Sequence, residues 1–486
     1  ASLTMENDRV LKEITPKSKD HSQWYLDVVL KAEMADYGPV KGCMIIKPYG
    51  YSVWETMQRD MDRRIKETGH VNAYFPLFIP KSVLEKEKDH VEGFSPECAW
   101  VTVGGGEELE EPLALRPTSE AMICSMYAKW VQSWRDLPVL INQWCNVVRW
   151  EKVTRPFLRT TEFLWQEGHT LHETEEQAEE ETLKMLEVYR SFSEDFLAMP
   201  VVVGRKSEAE KFAGALRTYA IEALMGDGKA LQAGTSHNLG QHFATAYGIE
   251  YLDRDQGRAK PWSTSWGTST RMIGGLIMTH GDDAGLILPP KVAPYQVVIV
   301  PIPPRKGGDW NEAILPKARE VAAMLRDAGF RVHLDDRDQF QTGYKYSDWE
   351  MRGVPFRLEI GPKDVAKEQC VLVRRTDRHK DFVPLAGVAT KLGELLDALQ
   401  KDLFTRARQF QEDNTTRVSS YDDFKDVMKT KRGFILAGWN GDPAVEQKIK
   451  EETKATVRVI PMDGGKEVPC IVTGEKGREV WFAQAY

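Results

Sequence analysis

The residues of this chain with the most chemistry lie close together, in NVVRWEKVTRPFLRTTEFLWQEGHTLH at positions 146–172. Two runs of strand-like composition, QWCNVVRWE and RTTEFLWQEGHT, flank a short segment with Thr154, Arg155 and Pro156, which predicts an antiparallel hairpin with a longer loop. Strand side chains alternate between faces. Arg149 and Glu151 therefore share one face of the first run, and Phe163, Trp165, Glu167 and His169 share one face of the second. An Arg, two Glu, a His and two aromatics make a poor core, because every buried charge without a partner is costly. Such a face lines a wet pocket whose polar ligand supplies the missing partners; the alternative is a solvated sheet face with salt-bridged strands.

The elements that must hold this face come from a chain of 486 residues, enough for roughly two to four domains with their own cores. A net charge of −8 argues against a protein that coats nucleic acid non-specifically and leaves room only for local basic patches. Six cysteines without a C-x-x-C pair suggest no disulfide framework, which points to a reducing, cytoplasmic setting. No apolar run approaches the roughly 18 residues of a membrane span, and the N-terminal ASLTMENDRVLKEITPKS lacks a signal-peptide core. Up to about Leu288 helical patterns mix with strands, and the acidic run from Glu173 reads as an amphipathic helix with a solvated charged face. Pro289, Pro290 and Pro294 mark a boundary. Beyond it YQVVIVPI, RVHLDD, FRLEIG and CVLVRR alternate with helical patterns, as in a parallel-leaning βαβ unit. A further segment opens with a helix and ends in short strands.

Three motifs carry a family resemblance. R-x-E followed by FLRTTEF resembles the second signature motif of the class II aminoacyl-tRNA synthetases; IKETGHVNAYFPLFIP, at 65–80, is similar to the first, and TSWGTSTRMIGGLIMTHGDDAGLILPP, at 264–290, to the third. With RPTSE at 116–120 and QAGTSH at 232–237, nearly the whole chain resembles the prolyl-tRNA synthetases, in the form found in eukaryotes, archaea and some bacteria. The resemblance implies an α/β and α+β multidomain protein: a class II antiparallel-sheet catalytic domain over 1–290, an α/β anticodon-binding domain over 291–398 and a small α+β C-terminal domain over 399–486. It further implies a homodimer joined at the first motif, and ATP-dependent ligation of L-proline to tRNA(Pro) in the cytoplasm, away from any membrane.

In that reaction a carboxylate attacks the α-phosphate of ATP. The nucleophile is already ionised, so the task is positioning and neutralising charge, which arginines and Mg2+ do well. By the resemblance the catalytic residues are Arg149, Arg159 and Arg271: Arg149 contacts the carboxylate and α-phosphate, Arg159 the γ-phosphate, and Arg271 stacks on adenine opposite Phe163. Glu151 and Thr160 read the adenine, and Gln232 and Thr235 hold ribose and phosphate. For proline, Thr118 and Glu120 bind the imino group, and Trp165, Glu167, His169, Phe212 and His237 frame the ring. The alternative for Thr118 is a helix N-cap, and both roles can coexist. His169 and His172 with Glu173 could suggest a metal site, but the strand face assigns His169 to the pocket; Asp282 and Asp283 read as a turn ahead of the strand LILPP in preference to a magnesium site, and the glycines after Val103 as a surface loop, so no protein-held metal is expected.

In the second domain nine Lys or Arg against six Asp or Glu at 341–380 form a basic patch in an acidic chain. By the resemblance Arg357, Glu359 and Lys363 read anticodon bases; alternatively Arg357 and Glu359 are a same-face strand pair that forms only a salt bridge. In the third domain the positions of the family's four zinc cysteines hold Asn440, Val445, Cys470 and Thr473. One thiol does not make a four-ligand site, so no bound zinc is expected. The family's C-terminal tyrosine persists as Tyr486. Two readings stay beside this one: the threonyl enzyme, whose zinc ligands are not apparent around the pocket, and a tRNA-binding paralogue without chemistry.

Overall fold

The computed structural model describes residues 14–87, 97–305 and 309–486. Most of the N-terminal stretch without an apolar core lies outside the described residues. Among the described residues no helix is long and apolar enough to cross a membrane.

The first domain is built on a mostly antiparallel sheet. Its strands, in chain order, are β1 (Val71–Asn72), β2 (Val139–Val148), β3 (Glu162–His172), β4 (Val202–Arg205), β5 (Arg217–Leu224), β6 (Ala230–Gly240) and β7 (Trp262–Ser269). They lie side by side as β1-β2-β3-β7-β6-β5-β4, and β1 alone pairs in parallel. The helices Glu175–Ser191 and Arg271–His280 cover one side, burying Met185, Tyr189, Ile273 and Leu276 in a large core. The acidic helix starts where Thr174 and Gln177 cap its free N–H groups reciprocally. Its charged residues are not all solvated: Glu181 is buried against His70 at 2.8 Å, and Glu179 takes hydrogen bonds from Arg217, Tyr219 and Asn238.

The β2–β3 hairpin is present, with Val147 opposite Phe163 and Gln143 opposite Glu167. Its connection is longer than the sequence suggests. The strands stop at Val148 and restart at Glu162, so Arg149 and Glu151 sit in the loop and not on a strand face. The loop satisfies its own backbone, with Arg155 and Arg159 exchanging hydrogen bonds across a tight turn at Phe157, whose φ is 63°, and with Thr161 N–H donating to Gly42 O. The glycines after Val103 form the tip of another hairpin, Trp100–Gly104 with Glu107–Leu115.

The second domain is a five-stranded sheet in the order Val332–Leu334, Val297–Pro301, Phe356–Ile360, Gln369–Arg374, Lys380–Pro384, the first three parallel. It is fastened to the first by Asp282, whose carboxylate accepts two hydrogen bonds from Arg375 at 2.7 and 2.9 Å, and by Leu286 and Leu288 N–H groups donating to Met351 and Gly353. The long helix Val388–Asp413 buries Leu392, Leu396, Leu399 and Leu403 in this domain's core while running on toward the third.

In the third domain the strands Thr415–Arg417, Phe434–Trp439, Lys476–Gln484 and Ala455–Pro461 extend the first domain's sheet itself, because Ile460 and Pro461 pair with Arg205 and Gly204 of β4. Around Asn440 and Cys470 hydrogen bonds close the loop: Cys470 N–H donates to Glu475 O, and Asn440 Nδ2 to Glu475 Oε2 at 3.2 Å.

Candidate active site

Two cavities of about 210 and 220 Å³ open on one face of the catalytic sheet and meet at Arg149, Trp165, Gln232, Thr235 and Gly267. They form where β3, β6 and β7 place alternate side chains on the same surface; His169 lies opposite Ser265, Glu167 opposite Gly267, and His237 opposite Ser265 on its other side.

The first cavity gathers Arg149, Glu151, Arg159, Thr160, Phe163, Gln232, Thr235 and Arg271. Arg271, first residue of its helix, donates through Nε to Leu158 O at 3.0 Å and through Nη1 to Gln232 O at 3.4 Å. Burial, with the like charges of Arg159 and Arg149, pulls its guanidinium down to about 10. It remains a cation at neutral pH. Arg149 is turned inward by Pro117 O, which accepts from its Nε at 2.9 Å, and its guanidinium lies 5.5 and 5.3 Å from the Phe163 and Trp165 rings. Arg159 is half-exposed, 3.8 Å from Glu151 and 3.5 Å from the backbone oxygen of Tyr486. Three arginines on one wall suit a polyphosphate, which the fork geometry of guanidinium matches.

The second cavity gathers Thr118, Glu120, Arg149, Trp165, Glu167, His169, Phe212 and His237. At its centre His169 stands between two carboxylates, 2.7 Å from Glu167 and 2.8 Å from Glu120, all nearly inaccessible to water. Burial favours a neutral imidazole, but the charge and hydrogen bond of Glu120 and the hydrogen bond of Glu167 outweigh it and lift His169 to about 10. Burial likewise works against the Glu167 carboxylate, yet His169 and the Ser119 N–H hold it at about 2. One imidazolium facing two carboxylates leaves a buried negative charge. His237 is the opposite case: burial, then the positive His169 and Arg149, push it down to about 3, so it is neutral, packed on Phe212 at 4.8 Å and hydrogen-bonded to Thr218 at 2.9 Å.

Thr118 serves two ends at once. Its hydroxyl accepts the Glu120 N–H at 3.3 Å, at the start of the Glu120–Trp130 helix, and donates to Glu167 at 3.4 Å. Neither His172 nor Glu173 approaches His169 as a ligand set: His172 is paired with Thr170 and Glu173 with Arg254. Among the described residues no cluster of three or more His, Cys, Asp or Glu has metal-holding geometry.

The cavities also include residues that the motifs do not single out: Glu210, Thr218, Ser265 and Trp266 in the second, Leu158, Thr268 and Ser269 in the first. Ser265 and Ser269 share the period of β7 with Gly267, a signal that becomes readable once the β3–β7 register is known. In the second domain Arg357 stacks on Tyr346 at 3.8 Å and lies 3.4 Å from Glu359 and 3.6 Å from Glu350, whereas Lys363 is exposed.

A mostly antiparallel sheet bearing an arginine-lined cavity, followed by an α/β domain, is the plan of a class II aminoacyl-tRNA synthetase. Family models agree: residues 100–280 match the tRNA synthetase class II core domain (G, H, P, S and T), 296–401 the anticodon binding domain, and 421–486 the prolyl-tRNA synthetase C-terminal domain. Over the full length of both chains the sequence is 58% identical to the proline–tRNA ligase of Natranaerobius thermophilus and 55% identical to proline–tRNA ligase 2 of Clostridioides difficile. It is 54% identical to the proline–tRNA ligase of Rubrobacter xylanophilus over 98% of this chain and 99% of that one. The chain belongs to the proline–tRNA ligase family.

Proposed function

We propose that the protein joins L-proline to tRNA(Pro) in two steps, forming prolyl-adenylate and pyrophosphate from proline and ATP, then passing the prolyl group to the tRNA and releasing AMP. The observation that carries this reading is the charge layout of the second cavity. The buried, net negative Glu120–His169–Glu167 trio suits a secondary ammonium, and the Arg149 guanidinium, at the junction with the first cavity, suits a carboxylate. A zwitterionic amino acid bound between them points its carboxylate at the nucleotide side. Trp165, Phe212 and the neutral His237 offer the apolar walls that a pyrrolidine ring needs.

Arg149 then stabilises charge on the α-phosphate as it is attacked, Arg159 holds the γ-phosphate, Arg271 stacks on the adenine opposite Phe163, Glu151 and Thr160 read its edge, and Gln232 and Thr235 hold ribose and phosphate. Class II synthetases use ATP with Mg2+, and an ion brought with the ATP would neutralise phosphate charge beside Arg149 and Arg159. Proline-dependent ATP–pyrophosphate exchange tests the reading. Exchange with threonine and not with proline would overturn it.

Assignment to the eukaryote- and archaeal-like type is supported by the residues quoted for the motifs. A homodimer is supported by Val71, Tyr74 and Phe78, exposed along the edge strand β1 and the segment after it, and light scattering at micromolar concentration decides it. The division at 290 and 398, a cytoplasmic location, an anticodon role for Arg357, Glu359 and Lys363, and a zinc-free third domain belong to the same proposal. Elemental analysis of protein purified without chelators tests the last.

A further inference from the structure

The loop that carries Glu210 and Phe212 into the second cavity is rooted on the third domain. It leaves β4, the strand that pairs with Ile460 and Pro461, and begins at Lys206 and Ser207, both about 2% exposed. The Lys206 ammonium donates to Glu222 of β5 and, at 2.7 Å, to the backbone oxygen of Arg458; Arg458 itself reaches Glu222 at 2.9 Å. The Ser207 hydroxyl donates to Oε1 of Glu446, on the third-domain helix Pro443–Thr453, at 2.7 Å, and Glu446 is 4% exposed. The Ser207 carbonyl accepts the N–H groups of Glu210 and Lys211, so the turn that aims the loop starts at this serine. At the far end Phe212 N–H donates to Thr218 at 3.1 Å, and the ring packs on His237. An unbroken run of contacts thus leads from Glu446 to the aromatic wall of the pocket. Burial pushes the Glu446 carboxyl up against the pull of the Ser207 hydrogen bond, and the charge of Glu210 adds to the push.

We infer that Glu446 is a positioning residue for the amino acid, and that the third domain takes part in substrate recognition by fixing the loop at Ser207. The inference rests on the reading of the second cavity as the proline site. A serine hydroxyl held by a buried carboxyl fixes the first residue of the turn, and losing it lets the loop, with Phe212, retreat from His237. The nucleotide cavity, walled by other segments, does not feel the change.

The test is steady-state pyrophosphate exchange by the full-length enzyme and by Ser207→Ala, Glu446→Ala and Glu446→Gln, with proline and ATP varied in turn. Either alanine variant raises the KM for proline about tenfold, the usual scale for one buried hydrogen bond to an acid, and leaves the KM for ATP alone. Glu446→Gln keeps an acceptor and restores most of the affinity. The double alanine variant is no worse than either single one, because both remove the same bond. An unchanged KM for proline in both single variants overturns the inference. So does a parallel rise in both KM values with a lowered melting temperature, which marks a merely structural contact. If the unmodified enzyme shows no proline-dependent exchange, the reading of the cavity falls, and this inference with it.

Discussion

Glu167 and His169, two residues apart on β3, turn to the same face and meet at 2.7 Å, and Glu120 closes on the other ring nitrogen. One histidine therefore holds two buried carboxylates together. Replacing it with alanine leaves both without their cation, a change that typically costs about 3 to 5 kcal/mol. His169→Ala is therefore expected to lower the melting temperature and, because Glu120 and Glu167 lose the group that holds them in place, to raise the KM for proline. Exchange kinetics with proline varied, alongside a melting curve, read both effects; near-normal proline saturation would count against the trio as the ammonium site.

Among the described residues, Arg149 is the one charged side chain shared by both cavities. Its loss removes charge stabilisation at the transition state, on the scale of an oxyanion donor, about 3 kcal/mol. Arg149→Ala should turn over at least a hundredfold more slowly even when saturated with both substrates. A variant with ordinary turnover and only a raised KM would show that Arg149 binds the ground state alone.

Tyr486 brings the third domain to the nucleotide side. Its hydroxyl donates to Asp227, its N–H to Ala230 O, and its backbone oxygen lies 3.5 Å from Arg159. Tyr486→Phe loses the Asp227 bond, worth about 1 kcal/mol, and loosens the segment against which Arg159 rests. The expected result is a several-fold higher KM for ATP with proline affinity intact. ATP titration at saturating proline distinguishes this from no effect.

Acid should unfold the catalytic domain early. Burial holds His237 at about 3 and His172 and His280 at about 4, below the ordinary imidazole value of about 6.5. Below pH 6.5 the unfolded chain takes up protons that the folded chain refuses, so stability falls as pH falls. Each histidine contributes up to about 1.4 kcal/mol per pH unit until its folded value is reached. Glu167, held at about 2, adds its own loss only below the ordinary carboxylate range. Melting temperatures taken from pH 7 to pH 4.5 should drop steadily; a flat profile would contradict neutral burial of these rings.

Strand periodicity alone sets Phe163, Trp165, Glu167 and His169 on one face, because alternation is a local property of the extended backbone, and the capping residues Thr174 and Gln177 likewise announce their helix locally. The placement of Arg149 and Glu151 was not local in this sense. Pattern extends their strand too far, and the loop at 149–161 exists because its backbone finds partners within itself and at Gly42. Sequence also contains Ser207, Glu446, Asp227 and Tyr486 without any sign that they meet, since the partners are hundreds of residues apart: 239 for Ser207 and Glu446, 259 for Asp227 and Tyr486. The joining of β4 to the strand Ala455–Pro461, together with Tyr486 against Ala230, brings the third domain to the pocket, and that pairing is decided by which sheet edge is left open after the core has packed, not by any short stretch of residues.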